Sequence, residues 1–458
     1  MPFSRMTSSS TSQLQVETSY RQIIRIALPI SLAIFIPQLN FVINNIFLGH
    51  YTADPHALAV AGITGVYYLV FAAIGYGLNN GLQALIARRA GENRPDEIGQ
   101  LFSQGVLIGL LLAVAGILIT WTLTPWIFRQ IIQDPVVLDK AISFLRIRVW
   151  GLPFLYIYQL RNALLVGTNQ SRYLVAGTLA ETAANILFDY LLIFGHAGFP
   201  ELGFNGAAIA SVIAEFTGMF VIFLVIRHKG ISNRFGLFRE MRWQPVNNRL
   251  ILSMSAPLMF QHAISIISWQ FFFLLIEHHG AMALKVSNVM RNIFGIFGCL
   301  TWALASTTNA MVSNVIGQDK KEQVTPLLRK IVLLSMGWAV LAFGMLNLFP
   351  DSFLSLFGQG TAFIDSAMPS LRVVSGAMLL MSFSVVMLSA VTGTGNTKVT
   401  FAIELFAIIM YSTYVYLVNE YFFLPVHIGW MSEWLYWICL FIPSFFYIRS
   451  GRWKQKII

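Results

Sequence analysis

The sequence predicts an all-α membrane protein with twelve transmembrane helices in two pseudo-symmetric six-helix bundles. Three observations predict it: too little charge for a water-facing surface, twelve long apolar runs, and an internal repeat. Of the 458 residues, 56% are hydrophobic and 11% are charged. A soluble domain carries roughly a quarter charged residues, so lipid is the solvent this composition fits.

The apolar runs come first. A membrane-spanning helix needs about 20 mostly apolar residues. Twelve segments qualify: 22–46, 58–84, 101–125, 143–167, 173–195, 206–227, 250–277, 286–314, 329–349, 368–394, 398–419 and 425–448. Several are long enough to tilt, and Pro29 and Pro37 are positioned to bend the first.

The short gaps between runs alternate in charge. Arg88, Arg89 and Arg94 follow the second run, Arg172 the fourth, and Lys320, Lys321, Arg329 and Lys330 the eighth. Arg227, Lys229, Arg234, Arg239, Arg242 and Arg249 follow the sixth, Lys398 follows the tenth, and Arg449, Arg452, Lys454 and Lys456 end the chain. Basic loops stay cytoplasmic, so both termini are expected there, in a bacterial inner membrane or a plasma membrane. The same topology explains the net charge of +10 without nucleic acid as a partner.

The repeat is the third observation. A shift of 226 residues carries Leu145-Arg146 onto Leu371-Arg372, Asp139 onto Asp365 and Gly167-Thr168 onto Gly393-Thr394. It also carries Ser171-Arg172 onto Thr397-Lys398 and Ala90-Gly91 onto Ile316-Gly317. Each unit holds six runs, so both halves have the same orientation, and paired bundles of this kind form around a central site. The expected organisation is a disordered cytoplasmic tail over 1–19, a first lobe over 20–227 and a cytoplasmic linker over 228–249. A second lobe over 250–448 and a basic cytoplasmic tail over 449–458 complete it.

No HExxH, GxSxG, Walker loop or cysteine cluster is present, and the chain reads as a non-enzyme without a cofactor. Polar residues inside the runs are the informative ones, because lipid makes them expensive. In the fifth run Glu181, Asn185 and Asp189 recur at i, i+4 and i+8, on one helical face. Gln159 and Asn162 lie in the fourth run and Gln38, Asn40, Asn44 and Asn45 in the first. Carboxylate and amide oxygens are the hard ligands a small cation takes, and Asp189 with Asn185 would serve Na⁺. The same residues would equally serve as polar glue between helices, or Arg161 would pair with an acid. In the repeat register Asn185 becomes Tyr411 and Asp189 becomes Val415, so the polar set belongs to the first half alone. Arg146, Arg148 and Arg372 fit snorkelling to an interface. Glu215 is read as structural ahead of a second acidic site.

Several motifs carry a family resemblance over essentially the whole chain. Leu145-Arg-Ile-Arg148 with Gly151 and Pro153, Asn205-Gly-Ala-Ala-Ile-Ala-Ser-Val-Ile-Ala-Glu215 and Gly393-Thr-Gly-Asn-Thr397 resemble the MATE family (multidrug and toxic compound extrusion). The Ala90-Gly91 and Ile316-Gly317 turns are similar to its paired turns. The resemblance implies two six-helix lobes and export of organic compounds in exchange for H⁺ or Na⁺. One branch places a cation site in the first lobe, and its Asn and Asp on the fifth helix fall on Asn185 and Asp189. Its fourth-helix Asn falls on Asn162, and its first-helix Asp falls on Asn44, a departure because an amide takes no proton. Another branch uses acids on the seventh and tenth helices. Here the seventh shows Gln261 and no acid before Glu277, and the tenth shows none, so coupling is expected in the first lobe.

The expected function is a secondary antiporter acting by alternating access on small, often cationic and amphipathic compounds, as a monomer. Asp189, Asn185, Asn162, Asn44, Gln159, Asn40 and Glu181 form the expected coupling network, and an aromatic and Met-lined space would hold the substrate. Two other readings are a flippase for lipid-linked oligosaccharides, which needs a basic cavity, and a non-transporting receptor or scaffold.

Overall fold

The computed structural model describes residues 14–50, 57–239, 241–357 and 360–456, with side chains outside 41–59. Among these residues all regular structure is helical. The long helices are α1 (Tyr20–His50), α2 (Ala57–Gly91), α3 (Pro95–Thr122), α4 (135–167), α5 (Leu174–Phe194) and α6 (Gly203–His228). The second half follows with α7 (Pro245–Glu277), α8 (Ala281–Gly317), α9 (Val324–Leu348), α10 (Thr361–Gly393), α11 (Thr397–Tyr416) and α12 (Val426–Arg449).

Among the described residues, eleven of these helices are long and apolar enough to cross a membrane by themselves. The exception is α4, which consists of Pro135–Arg148, a 3-10 turn at Val149–Gly151, and Leu152–Gly167. Pro153 lies in the first turn of the last piece, where its missing N–H costs no hydrogen bond. The α4 pieces are each short, and Asp139, Lys140, Arg146, Arg148 and Arg161 lower their hydropathy.

Several helices begin earlier than their apolar runs. Helix α3 starts at Pro95 with Asp96 and Glu97 in its first turn, where acids meet the positive end of the helix dipole. At the start of α4 the Asp134 Oδ1 accepts from the Val136 N–H at 2.8 Å, a side-chain N-cap. Apolar length marks the lipid-embedded section, whereas caps set the helix ends.

The repeat is visible in local backbone geometry. After α2, Asn93 adopts φ +61°, and after α8, Asp319 adopts φ +59°. After α4, Asn169 adopts φ +62°, and after α10, Gly395 adopts φ +90°. The shift of 226 residues relates each pair, and the turn hydrogen bonds repeat with it. Asn93 N–H donates to Ala90 O as Asp319 N–H does to Ile316 O, and Asn169 N–H donates to Val166 O as Gly395 N–H does to Thr392 O. Asn, Asp and Gly tolerate this left-handed conformation best.

The chain divides into two compact units. The N-terminal unit comprises Leu32–Arg89 and Arg94–Met259; the C-terminal unit comprises residues up to Ser31, Ala90–Asn93 and everything from Phe260. In the N-terminal unit α5 packs along α6, where a Cβ on Gly206 would lie 2.5 Å from the Leu192 carbonyl oxygen. Small residues permit such close approach in membrane bundles. In the C-terminal unit an apolar core centres on Phe272, Ile276, Met290, Leu371, Val374, Met378 and Trp430.

The connection after α6 is ordered. A short helix, Ile231–Phe235, lies between Gly230 and Gly236, both at positive φ. Fully buried Gln104 of α3 holds the rest: its Nε2 donates to Arg242 O at 2.9 Å, and its Oε1 accepts from Gln244 N–H at 3.0 Å and Asn248 Nδ2 at 2.9 Å.

Residues 14–19, expected in a disordered tail, are instead held on the C-terminal unit. Leu14 and Val16 are buried. The Asn314 side chain of α8 accepts from Val16 N–H at 3.1 Å and donates to Leu14 O at 2.9 Å, and Gln318 Nε2 donates to Val16 O at 2.9 Å. One side-chain amide thus satisfies both a backbone donor and a backbone acceptor of this segment, a pairing composition does not reveal. Asn314→Leu removes two such hydrogen bonds, each worth about 1 kcal/mol. Hydrogen exchange at the Val16 amide is therefore expected to speed up at least about tenfold, and unchanged protection would contradict the clamp.

Candidate cation site in the N-terminal unit

The fifth helix carries the polar face. Asp189 is 1% exposed, and neither carboxylate oxygen has a hydrogen-bond partner among the described residues. One turn earlier, Asn185 Oδ1 accepts from Asn40 Nδ2 of α1 at 2.6 Å. The structure therefore joins α1 to α5 at Asn40–Asn185, directly beside an acid with no partner of its own.

The other expected residues divide. Gln159 of α4 donates through Nε2 to Ala72 O at 3.3 Å, while its buried Oε1 has no hydrogen-bond partner. The Oδ1 of Asn162 is likewise buried without one. Glu181 is half-buried and lies against α6, where its Cβ would sit 2.9 Å from a Cβ on Gly218. Successive i+4 steps on an α-helix drift by about 40°. Glu181 and Asp189 are thus about 80° apart around α5, each about 40° from Asn185 on opposite sides. Asn44 lies on α1, but its side chain falls outside the described residues.

Neighbouring cations have other partners. Arg161 donates from Nε to Ile157 O at 3.0 Å and from Nη1 to Met219 O at 2.5 Å. It pairs with neither Glu181 nor Asp189 among the described residues. Arg148 does not snorkel. Its Nη1 and Nη2 bond the two Glu215 carboxylate oxygens at 2.8 and 2.6 Å, and its guanidinium stacks 3.6 Å above the Tyr68 ring. The Tyr68 hydroxyl also donates to Glu215, at 3.0 and 3.1 Å. Glu215 is 5% exposed, so it is the structural anchor between α4 and α6. Arg146, by contrast, is exposed and sits 5.2 Å from the Trp121 ring.

The C-terminal unit holds two buried acids that the sequence reading passed over, Glu404 of α11 and Glu433 of α12. Glu404 accepts from Ser265 Oγ at 2.8 Å, from Gln261 Nε2 at 3.4 Å and from the Tyr436 hydroxyl. The expectation of coupling in the first lobe followed the seventh and tenth helices, whereas these acids lie on the eleventh and twelfth. The signal was available: a single Glu in an otherwise apolar run.

Fold and site together define a multi-pass membrane protein of two six-helix bundles, one of which encloses a carboxylate that is unpaired among the described residues. The MatE family model matches residues 29–191 and again 257–417, and the chain belongs to that family. A probable multidrug resistance protein NorM of Thermotoga maritima is 22% identical over 449 residues, covering 96% of this chain and 94% of its own. A probable multidrug resistance protein NorM of a Synechocystis strain is 27% identical over 333 residues, 71% of this chain and 69% of its own. Among solved structures, a MOP superfamily transporter from Pyrococcus furiosus superposes with a TM-score of 0.87 at 16% identity, over 98% of this chain and all of that one. A MATE protein crystallised with MaL6 gives 0.88 at 17% identity, over 97% and 98%. These structures share the fold.

The Arg148–Glu215 pair yields a stability prediction. Glu215→Ala leaves Arg148 buried without its acid, a loss expected to cost about 3–5 kcal/mol. Thermal unfolding of purified protein should show it. The double variant Arg148→Ala with Glu215→Ala is expected to lose less than the two single losses combined; strictly additive losses would mean the pair is uncoupled.

Proposed function

We propose that this protein is a secondary antiporter that exports small organic, often cationic compounds in exchange for H⁺ or Na⁺. Asp189 is the coupling group. The observation that carries the reading is its buried carboxylate, both oxygens of which lack a hydrogen-bond partner among the described residues. An isolated charge in a membrane bundle is expensive, and a proton or small cation arriving there relieves that cost. Asn185, one turn away and bonded to Asn40, and Asn162 of α4 supply amide oxygens for a network around it. The multidrug names of the relatives support an organic substrate. Family membership supports a transporter ahead of a receptor or scaffold. Arg161 is 3% exposed and gives its Nε and Nη1 to backbone carbonyls, which favours a structural role for it over binding the pyrophosphate of a lipid-linked sugar.

Coupling requires that ion and substrate favour different states or exclude one another. Asp189→Asn keeps shape and hydrogen-bonding capacity but removes the charge. Gradient-driven uptake of a labelled cation into proteoliposomes is expected to fall at least about tenfold in this variant, at normal expression. Imposing H⁺ and Na⁺ gradients separately identifies the ion. Full gradient-driven transport by Asp189→Asn would overturn the assignment.

The reading also places both termini in the cytoplasm of a cell membrane, on the strength of the basic gaps. Cys299 and Cys439 are buried, so introduced cysteines report without background. Lys320→Cys is expected to resist an impermeant thiol reagent added outside intact cells, while Glu201→Cys and Thr361→Cys react. The reverse pattern would invert the topology.

A further inference from the structure

Glu404 is the best-enclosed acid of the C-terminal unit. It lies about 10 Å along α11 from Thr397 and is 2% exposed. Its three donors, Gln261 and Ser265 of α7 and Tyr436 of α12, are all neutral. Neutral donors screen a buried negative charge without cancelling it.

Two details show that the cluster is one hydrogen short around an ionised carboxylate. The Ser265 hydroxyl owns a single hydrogen. Yet its oxygen lies 2.9 Å from the Gln261 carbonyl oxygen and 2.8 Å from Glu404 Oε1. If Glu404 is ionised, one of these contacts sets two acceptors face to face. If Oε1 carries a proton, Glu404 donates to Ser265 Oγ, Ser265 donates to Gln261 O, and both contacts are satisfied. The second detail is the Gln261 side chain, which is 5% exposed. Its Nε2 is turned to Glu404 Oε2 while its buried Oε1 has no partner, so a second acceptor waits in the same space. The Ser265 and Glu404 oxygens already stand at hydrogen-bond distance. A proton fits between them without moving a heavy atom.

We propose that Glu404 is a proton-binding site of the C-terminal unit, taking one solvent proton onto Oε1 and donating it as a hydrogen bond to Ser265. No covalent bond breaks: carboxylate plus proton becomes carboxylic acid, and release reverses the step. The titratable groups nearest to it are Tyr436, which contacts it, and Glu433, three residues before Tyr436 on α12. From α7 the neutral Gln261 and Ser265 bond it, with the titratable His262 between them in sequence, and α10 carries Asp365 and Arg372 near its far end. Use of this proton in export rests on the antiporter reading; binding of it does not, so the two fail separately.

Infrared difference spectroscopy of reconstituted protein between acidic and alkaline buffer tests the site, with the proton itself as probe. The wild type is expected to show a protonated-carboxyl band that vanishes on alkalinisation. Glu404→Gln should lack that band, while Asp189→Asn keeps it. If Glu404→Gln does not fold, Ser265→Ala and Tyr436→Phe each remove one contact and are expected to move the midpoint of the band. A Glu404→Gln spectrum identical to wild type, or midpoints untouched by both neighbouring substitutions, would overturn the proposal. A separate measurement, the pH profile of labelled-cation uptake, tells whether the proton is used. A profile changed in Glu404→Gln ties it to transport.

Discussion

Inside a bilayer no water is available to complete a hydrogen bond, so each buried polar atom must find a partner within the protein or remain a liability. Backbone groups meet this demand through helices, and all regular structure among the described residues is helical. Side chains meet it unequally. Glu215 and Asp189 are both carboxylates within the N-terminal unit, both nearly inaccessible. Glu215 receives a bidentate guanidinium and a tyrosine hydroxyl. Asp189 receives no hydrogen bond from the described residues. Glu215 is held by a cation that already balances its charge, whereas a proton or small cation reaching Asp189 would relieve an unbalanced one.

The same demand decides what was legible in the sequence. Twelve apolar runs gave the helices, since a spanning helix must be apolar over its lipid-embedded length. Their ends were less legible, because Pro95 with Asp96 and Glu97, or the Asp134 cap, act where apolarity no longer counts. The offset of 226 residues proved to be structural at the level of single turns: Asn93 and Asp319, and Asn169 and Gly395, share the left-handed conformation. What stayed hidden was pairing at a distance. Nothing in Leu14-Gln15-Val16 announces Asn314, three hundred residues later, and nothing local in Leu145-Arg-Ile-Arg148 tells Arg146 from Arg148. The first is exposed beside Trp121 and the second is locked to Glu215.

For the candidate site, residue type and spacing were enough to nominate Asp189 and Asn185, and the contact with Asn40 links a second helix to them. Glu181 shows the limit of reading a face from i+4 spacing. A drift of about 40° per step is tolerable over one turn and decisive over two. Glu404 shows a different limit. Treating the first half's polar face as the template made a position by position comparison look for acids where Asp189 has its equivalent, at Val415. The second half carries its acid elsewhere, opposite Thr178 in the same register, and its partners come from a different pair of helices.

That divergence bears on how two halves of one ancestry come to differ in work. Each unit keeps an enclosed acid, but at a different height on the equivalent helix. Asp189 is about 22 Å from the start of α5 at Leu174, and Glu404 about 10 Å from the start of α11 at Thr397. Their surroundings differ in kind as well. Asp189 lies one turn past Asn185, which is bonded to Asn40, and has no donor among the described residues. Glu404 is ringed by a hydroxyl, an amide and a phenol that rearrange hydrogens around it without moving heavy atoms. A site of the first kind suits an ion that must come and go with large energetic consequence. A site of the second kind suits a proton whose presence or absence the protein tolerates at modest cost. The equivalent helices α5 and α11 thus differ in where their enclosed acid lies and in what surrounds it.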